Sequence, residues 1–231
     1  MRATLADRAR DRGLLVKVCG ITSPTDAMLA VDAGADAIGF VFWPASPRKV
    51  TPEHAAGIAR ELPDAVLRVG VFVDASREEM SRVADAVGLD LLQLHGEEPP
   101  SALAGLPRPA LKAVRVGRGF SQEEALRYAA NAAGILVDTR LPGEQPPGGT
   151  GVPFEWSLVK GLAERVPFLM LAGGLAPSNV AEAIRAVRPH GVDVSSGVES
   201  RPGRKDPEKV RAFVEAARAA AVGLPARGAR A

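Results

Sequence analysis

A single (β/α)8 barrel, a TIM barrel of the α/β class, is the fold this sequence predicts, and three observations carry the prediction. Eight short runs of branched or leucine-type residues recur along the chain, each followed by a longer, mostly alanine-rich stretch. The runs are apolar at nearly every position rather than at alternate ones, as expected of parallel strands covered by protein on both faces. The rival, an open doubly wound sheet, commonly uses fewer strands and carries a Gly-x-Gly-x-x-Gly turn after the first. Here Cys19-Gly20-Ile21-Thr22 stands at that place.

Taken in order, the first strand is residues 15–19, and its helix, 24–33, opens with Ser23 as cap and Pro24 at the first helical position. Strand 37–42 is followed by helix 52–62, announced in the same way by Thr51-Pro52. Strands 67–73, 91–94, 111–114, 135–138 and 168–171 come next. Their helices are 77–87, a weak one near 101–106, 122–130, 154–165 and 177–187. The last strand is 191–195, and Asp206-Pro207 opens the closing helix, 207–220. The catalytic barrel is thus expected over 14–220, with 1–13 as an N-terminal extension and 221–231 as a C-terminal tail.

Composition narrows the class of protein. The chain has 231 residues, 46% hydrophobic and 24% charged, with a formal net charge of +2, which is ordinary for a soluble globular enzyme. Arginines gather near the two ends (Arg8, Arg10, Arg12, Arg227, Arg230) without interleaved aromatics, so they read as solvated tails rather than a nucleic-acid surface. One cysteine cannot form an internal disulfide. No apolar run approaches the roughly 20 residues of a membrane span, and the first residues lack the apolar core of a secretion signal. A cytoplasmic protein that binds neither nucleic acid nor membrane is expected.

In such a barrel every strand's C-terminal end faces one mouth, where active sites sit. Gly173 and Gly174 follow the seventh strand, and Ser195, Ser196 and Gly197 follow the eighth. Barrels commonly bind phosphate between these loops, because glycine lets backbone N–H groups approach and a short helix adds its positive end. A tight Gly-Gly turn and a Ser-Ser helix cap are the plainer reading of either pair alone. Cys19 ends the first strand and Asp138 the sixth, a thiol and a carboxyl across one mouth, which is the arrangement general acid–base chemistry needs. An inert buried cysteine and a turn-capping aspartate are the plainer readings of each alone. A long glycine-rich loop, 139–151, follows Asp138 and is expected to close over substrate and raise the proton affinity of that carboxyl. Lys17 shares a face with Cys19 one layer below it, roughly 7 Å along the strand. A lysine there needs a partner, and Asp193 on the closing strand supplies one, with the direction of its net effect on the thiol left open. Arg48, after the second strand, offers a fork for a carboxylate, though a solvated loop arginine fits equally well. Gln93 and His95 can line the same mouth as candidate substrate-binding residues, though a satisfied structural histidine fits at least as well. His54, His95 and His190 are scattered, so no metal is expected.

At these residues the chain resembles the phosphoribosylanthranilate isomerase family of tryptophan biosynthesis. The stretches that match are 17–22 (Lys-Val-Cys-Gly-Ile-Thr), 34–42, 92–97 (Leu-Gln-Leu-His-Gly-Glu), 136–139, 148–151, 172–175 and 193–199, in family order across about residues 15–220. The resemblance implies an Amadori rearrangement of N-(5-phosphoribosyl)anthranilate to the 1-deoxyribulose 5-phosphate aminoketose. It implies Asp138 as the acid that opens the ribose ring, Cys19 as the base that takes the C2′ proton, and Arg48 on the anthranilate side. Gly173, Gly174, Ser195, Ser196 and Gly197 would hold the phosphate. No cofactor is implied, the partner is a phosphorylated small molecule, and monomers and homodimers both occur in the family. Two departures stand out. Glu155 occupies a position where the family commonly has Asp, a change at a helix cap, and Pro146-Pro147 stiffens the loop after Asp138.

Two rival readings differ in what they need. A histidine-pathway isomerase, or an enzyme serving both pathways, would be expected to use two aspartates, whereas the first strand here ends in Cys19. A non-catalytic barrel that binds a phosphosugar would keep the glycine loops but would not need Cys19 and Asp138 together.

Overall fold

In the computed structural model, which describes residues 4–139 and 154–222, the eight apolar runs become eight parallel strands in sequence order: β1 (Leu15–Cys19), β2 (Ala37–Val41), β3 (Leu67–Phe72), β4 (Leu91–Leu94), β5 (Ala110–Val116), β6 (Gly134–Thr139), β7 (Leu169–Leu171) and β8 (Gly191–Val194). The sheet closes on itself where β1 pairs with β8, in a register that sets Lys17 against Asp193. Helices α2 (Pro24–Asp32), α3 (Pro52–Glu61), α4 (Arg77–Val87), α5 (Gln122–Leu126), α6 (Val180–Val187) and α7 (Pro207–Val222) lie between the strands or after the last of them. Ser23 and Thr51 cap α2 and α3 by accepting the N–H groups of Asp26 and His54, as the Ser-Pro and Thr-Pro pairs predict.

Alternation along each strand sorts the side chains into two cores. On β1, Val16 and Val18 face outward into the layer beneath the helices, with Ile38, Phe40, Val137 and Val192. Leu15 faces inward and packs with Leu67, Val69, Leu111, Leu136, Phe168 and Met170 to fill the lower barrel. Nearer the mouth, Cys19 packs with Val41 and Val71 beside Trp43. Inward positions therefore run from apolar at the base to chemically able at the top.

The base has a plug. Residues before β1 form helix α1 (Leu5–Arg12), capped by a reciprocal Thr4–Asp7 pair. Its Leu5 and Ala9 are buried in the lower-barrel cluster, and Arg8 donates to the Ala65 carbonyl at 3.0 Å. The extension expected at 1–13 thus includes a helix that seals the end opposite the mouth.

Four expected helices differ in form. Helix α5 covers only the first five residues of the expected 122–130 and continues as turns. The one near 101–106 is a single 3-10 turn, Pro100–Leu103, because the proline pair at its start and Gly105 after it leave no room for a second turn. The 154–165 stretch is two 3-10 turns, Trp156–Val159 and Leu162–Glu164, broken by Gly161 in a left-handed conformation (φ 80°). Glu155 caps no backbone there and accepts from Ser157 instead. Helix α6 starts three residues later than Pro177, since the Asn179 side chain bridges the loop, accepting from the Ala176 N–H and donating to the Gly174 carbonyl. Like α1, a hairpin of β9 (Glu199–Arg201) and β10 (Arg204–Lys205) between β8 and α7 is absent from the sequence reading.

Candidate active site

A cleft opens at the mouth, lined by Cys19, Arg48, Gln93, His95, Asp138, Gly173, Gly174, Ser195 and Ser196 among others. These are nine of the ten residues read from the sequence as catalytic, substrate-binding or phosphate-binding candidates, and Asp193 of the expected buried pair lines the cleft as well. The tenth, Gly197, sits behind the lining, where its lack of a side chain lets the Leu175 carbonyl come close. That contact locks the loops after β7 and β8 together. The fold thus gathers residues from positions 19 to 196 onto one surface.

Cys19 is buried at the end of β1 with its thiol against Gly39 of β2, where a Cβ would stand only 2.6 Å from Sγ. Burial pushes the thiol above its ordinary proton affinity; Lys17 pulls it down and Asp193 pushes it up again. Beneath it, Lys17 Nζ donates to Asp193 Oδ2 at 2.9 Å, the pair anticipated from strand parity. Burial works against the lysine charge, yet Asp193 and Cys19 hold its proton affinity above the usual value. The other oxygen, Asp193 Oδ1, is buried without a hydrogen-bond partner among the described residues.

Across the cleft, Asp138 is fixed at both oxygens. Thr139 donates its backbone N–H to Oδ1 at 2.7 Å, and His95 Nε2 lies 3.1 Å from Oδ2. Gln93 Nε2 contacts His95 Nδ1 at 2.9 Å, so the amide donates to Nδ1 and the ring donates from Nε2 to the carboxyl. Gln93 and His95 therefore orient Asp138 as well as lining the cleft. Gly173, at φ 81°, allows the β7 loop to pass so near that a Cβ would meet Asp138 Oδ1 at 2.9 Å. Lys112 of β5 anchors the segment that carries His95, donating to the Gly96 carbonyl at 2.6 Å and to Glu98 at 2.8 Å. Of the loop expected at 139–151 to close over this acid, only Thr139 is described; the rest, with Pro146-Pro147 and the 148–151 stretch, lies outside the described residues.

Arg48 is not solvated. Its Nε and Nη2 donate to Glu199 at 2.8 and 2.7 Å, and its stem runs over Gly20, where a Cβ would lie 2.5 Å from Cδ. Hydrogen bonding to Glu199 raises the guanidinium above its ordinary value. Lys205, from β10, donates to Glu199 at 3.0 Å and to the Ser195 carbonyl at 3.2 Å. Burial favours the neutral acid at Glu199, but Arg48 and Lys205 together hold it below the usual carboxylate range. Burial also lowers the Lys205 proton affinity, with Glu199 opposing. Glu199 and Lys205 were not among the candidates. The available signal was Arg48 itself: a mouth arginine near apolar walls needs a carboxylate behind it, and Glu199 is in the last matching stretch.

Among the described residues no group of three His, Cys, Asp or Glu is placed to hold a metal, and no helix is long and apolar enough to cross a membrane.

The cleft thus sets an acid and a thiol opposite each other, with glycine loops on one side and an arginine on another. Residues 16–216 match the family model for N-(5′-phosphoribosyl)anthranilate (PRA) isomerase. An N-(5′-phosphoribosyl)anthranilate isomerase of Pelobacter propionicus is 50% identical over 203 residues, 88% of this chain and 95% of that protein. Its counterpart in Pseudomonas fluorescens is 52% identical over 203 residues, 87% and 97% of the two chains. The crystal structure of phosphoribosyl anthranilate isomerase from Thermotoga maritima superposes with a TM-score of 0.83 at 46% identity, covering 89% of this chain and 99% of that one. Another phosphoribosyl anthranilate isomerase structure, holding reduced 1-(o-carboxyphenylamino)-1-deoxyribulose 5-phosphate, matches with a TM-score of 0.80 at 43% identity, with coverage of 89% and 99%. From the fold, the cleft and these relatives together, the chain belongs to the N-(5′-phosphoribosyl)anthranilate isomerase family.

Proposed function

We propose that this protein isomerises N-(5-phosphoribosyl)anthranilate to 1-(2-carboxyphenylamino)-1-deoxyribulose 5-phosphate in tryptophan biosynthesis, by general acid–base catalysis. The single observation behind it is that Cys19 and Asp138 line one cleft with two phosphate-type loops, in a chain of this family. Asp138 gives a proton to the ribose ring oxygen while the anilino nitrogen pushes the C1′–O bond open, leaving an iminium at C1′. Cys19 then takes the proton from C2′, and the electrons of that C–H bond form the enolamine as the iminium is neutralised. Return of a proton to C1′ and loss of one from the C2′ hydroxyl complete the ketone. Each step moves a proton within the substrate or to one of two side chains, so the reaction consumes no co-substrate.

The electrostatics fit the order of events. With the thiol held above its ordinary value, the base is the minor thiolate form, its proton already given up to solvent, and a cationic iminium beside Sγ stabilises that thiolate until it takes the C2′ proton. Ser195, Ser196, Gly173 and Gly174 hold the phosphate at one end, with Gly197 behind them, and Arg48 faces the anthranilate carboxylate at the other. Binding at two ends spends affinity on orienting the sugar between acid and base. Whether the working unit is one chain or two is read from sedimentation; a dimeric relative is known from Thermotoga maritima.

The test is to generate phosphoribosylanthranilate in situ and follow loss of its fluorescence. Wild-type turnover should fall by about 10²-fold or more in both Cys19→Ala and Asp138→Asn. Absence of turnover in the wild type would overturn the activity, and turnover surviving in one variant would overturn that residue's role alone.

A further inference from the structure

Arg48 lines the cleft, but its Nε–Nη2 edge is already spent on Glu199. A bidentate Arg–Glu pair has no net charge. A second carboxylate approaching it is attracted by the guanidinium and repelled by the anion close behind, so the pair alone is a weak receptor. Lys205 changes this sum. Its Nζ sits on Glu199 Oε1 at 3.0 Å, its backbone N–H is tied to Asp26 Oδ2 at 3.0 Å, and it is 3% exposed. Neither Lys205 nor Glu199 lines the cleft, so both act from behind Arg48.

We infer that Lys205 is the positioning residue that makes Arg48 a carboxylate receptor. Two cations share one anion, and the group of three carries a surplus positive charge that a single incoming carboxylate balances. Glu199, gripped from both sides, fixes the guanidinium, and among the described residues Nη1 and the second hydrogen of Nη2 have no hydrogen-bond partner, enough for a second fork. The packed stem over Gly20 prevents Arg48 from turning to meet a ligand elsewhere. The same lysine also donates to the Ser195 carbonyl at 3.2 Å, so the readout must separate the carboxylate end from the phosphate end. The inference rests on the reading above, in which the substrate presents a carboxylate to Arg48.

The experiment measures calorimetric binding of two ligands: reduced 1-(o-carboxyphenylamino)-1-deoxyribulose 5-phosphate, and its phenyl counterpart without the carboxyl group. The ratio of their affinities reports the carboxylate alone, because any effect on phosphate cancels. Wild type should prefer the carboxylated ligand by about 10–100-fold, the range for a charge-assisted hydrogen-bonded contact. Lys205→Met should lose most of that preference. The double variant Lys205→Met/Glu199→Gln, in which Arg48 again carries an unbalanced positive charge, should recover part of it, which a merely structural role would not produce. A preference unchanged in Lys205→Met, or a double variant no better than the single one, overturns the inference. Equal wild-type affinity for both ligands would overturn it together with the carboxylate role of Arg48, and binding of neither would overturn the functional reading beneath both.

Discussion

At the scale of single residues, Lys17 is the side chain on which the base depends. It is fully buried inside the barrel, and its ammonium both neutralises Asp193 and lowers the Cys19 thiol. Replacing it by Met removes the favourable cation and leaves an unpaired carboxylate that also pushes the thiol up. The acidic limb of kcat/KM, where the base gains its proton, should therefore move to higher pH in Lys17→Met. Loss of one partner from a buried pair should also cost about 3–5 kcal/mol in denaturant unfolding. An unmoved limb would show that the cation does not act on the base. Gly39 poses a steric version of the same question. Gly39→Ala places a methyl 2.6 Å from Sγ, which should cost about 1–3 kcal/mol and slow turnover more than it weakens product-analogue binding.

Among the elements, two that flank the eightfold repeat have separate jobs. Helix α1 covers the base of the barrel through Leu5 and Ala9, far from every residue of the cleft. Deleting residues 1–12 removes Leu5 and Ala9 from the lower-barrel cluster, and the lost burial is worth about 2–4 kcal/mol. Scanning calorimetry should show Tm lower by about 5–10 °C with kcat/KM at 25 °C within twofold of the full chain. A large drop in kcat/KM at unchanged Tm would overturn that division of labour. The β9–β10 hairpin is the opposite case, adding little to the apolar core but delivering Glu199 and Lys205 to Arg48. Its two short strands carry no hydrophobic alternation, and for that reason the sequence does not announce it.

For the molecule as a whole, two buried carboxylates govern behaviour in acid. Burial favours the neutral form of Glu98, but Lys112 and the backbone N–H groups it accepts hold it below its ordinary 4.5, and Arg48 with Lys205 do the same for Glu199. A group depressed in the folded state contributes stability that is present above the unfolded value and lost as pH falls through the folded one. Unfolding free energy should therefore stay level from neutral pH down to about 5 and decline below about 4.5. Glu98→Gln should start from a lower plateau and decline less steeply. Urea titrations across this range give the slope directly, and an equal slope in the variant would remove Glu98 from the account.

The order and number of strands, the caps Ser23 and Thr51, the place of Asp138 at a strand end and the shared inward face of Lys17, Cys19 and Asp193 were all readable from the chain. They depend on local periodicity and on the obligation of parallel strands to be buried on both faces. The barrel rule then turned scattered C-terminal strand ends into one mouth, and the matching stretches pointed to one family. Other features belong to the tertiary structure: the bonding of Arg48 to Glu199 and Lys205, the Gln93–His95–Asp138 chain, the plug formed by α1 and the sign of the thiol shift. Each depends on distances between residues far apart in the chain or on how deeply a group is buried. A hydrogen bond between positions 48 and 199, or the desolvation of one sulfur, leaves no period in a sequence; it exists only once closure of β1 against β8 brings those positions together.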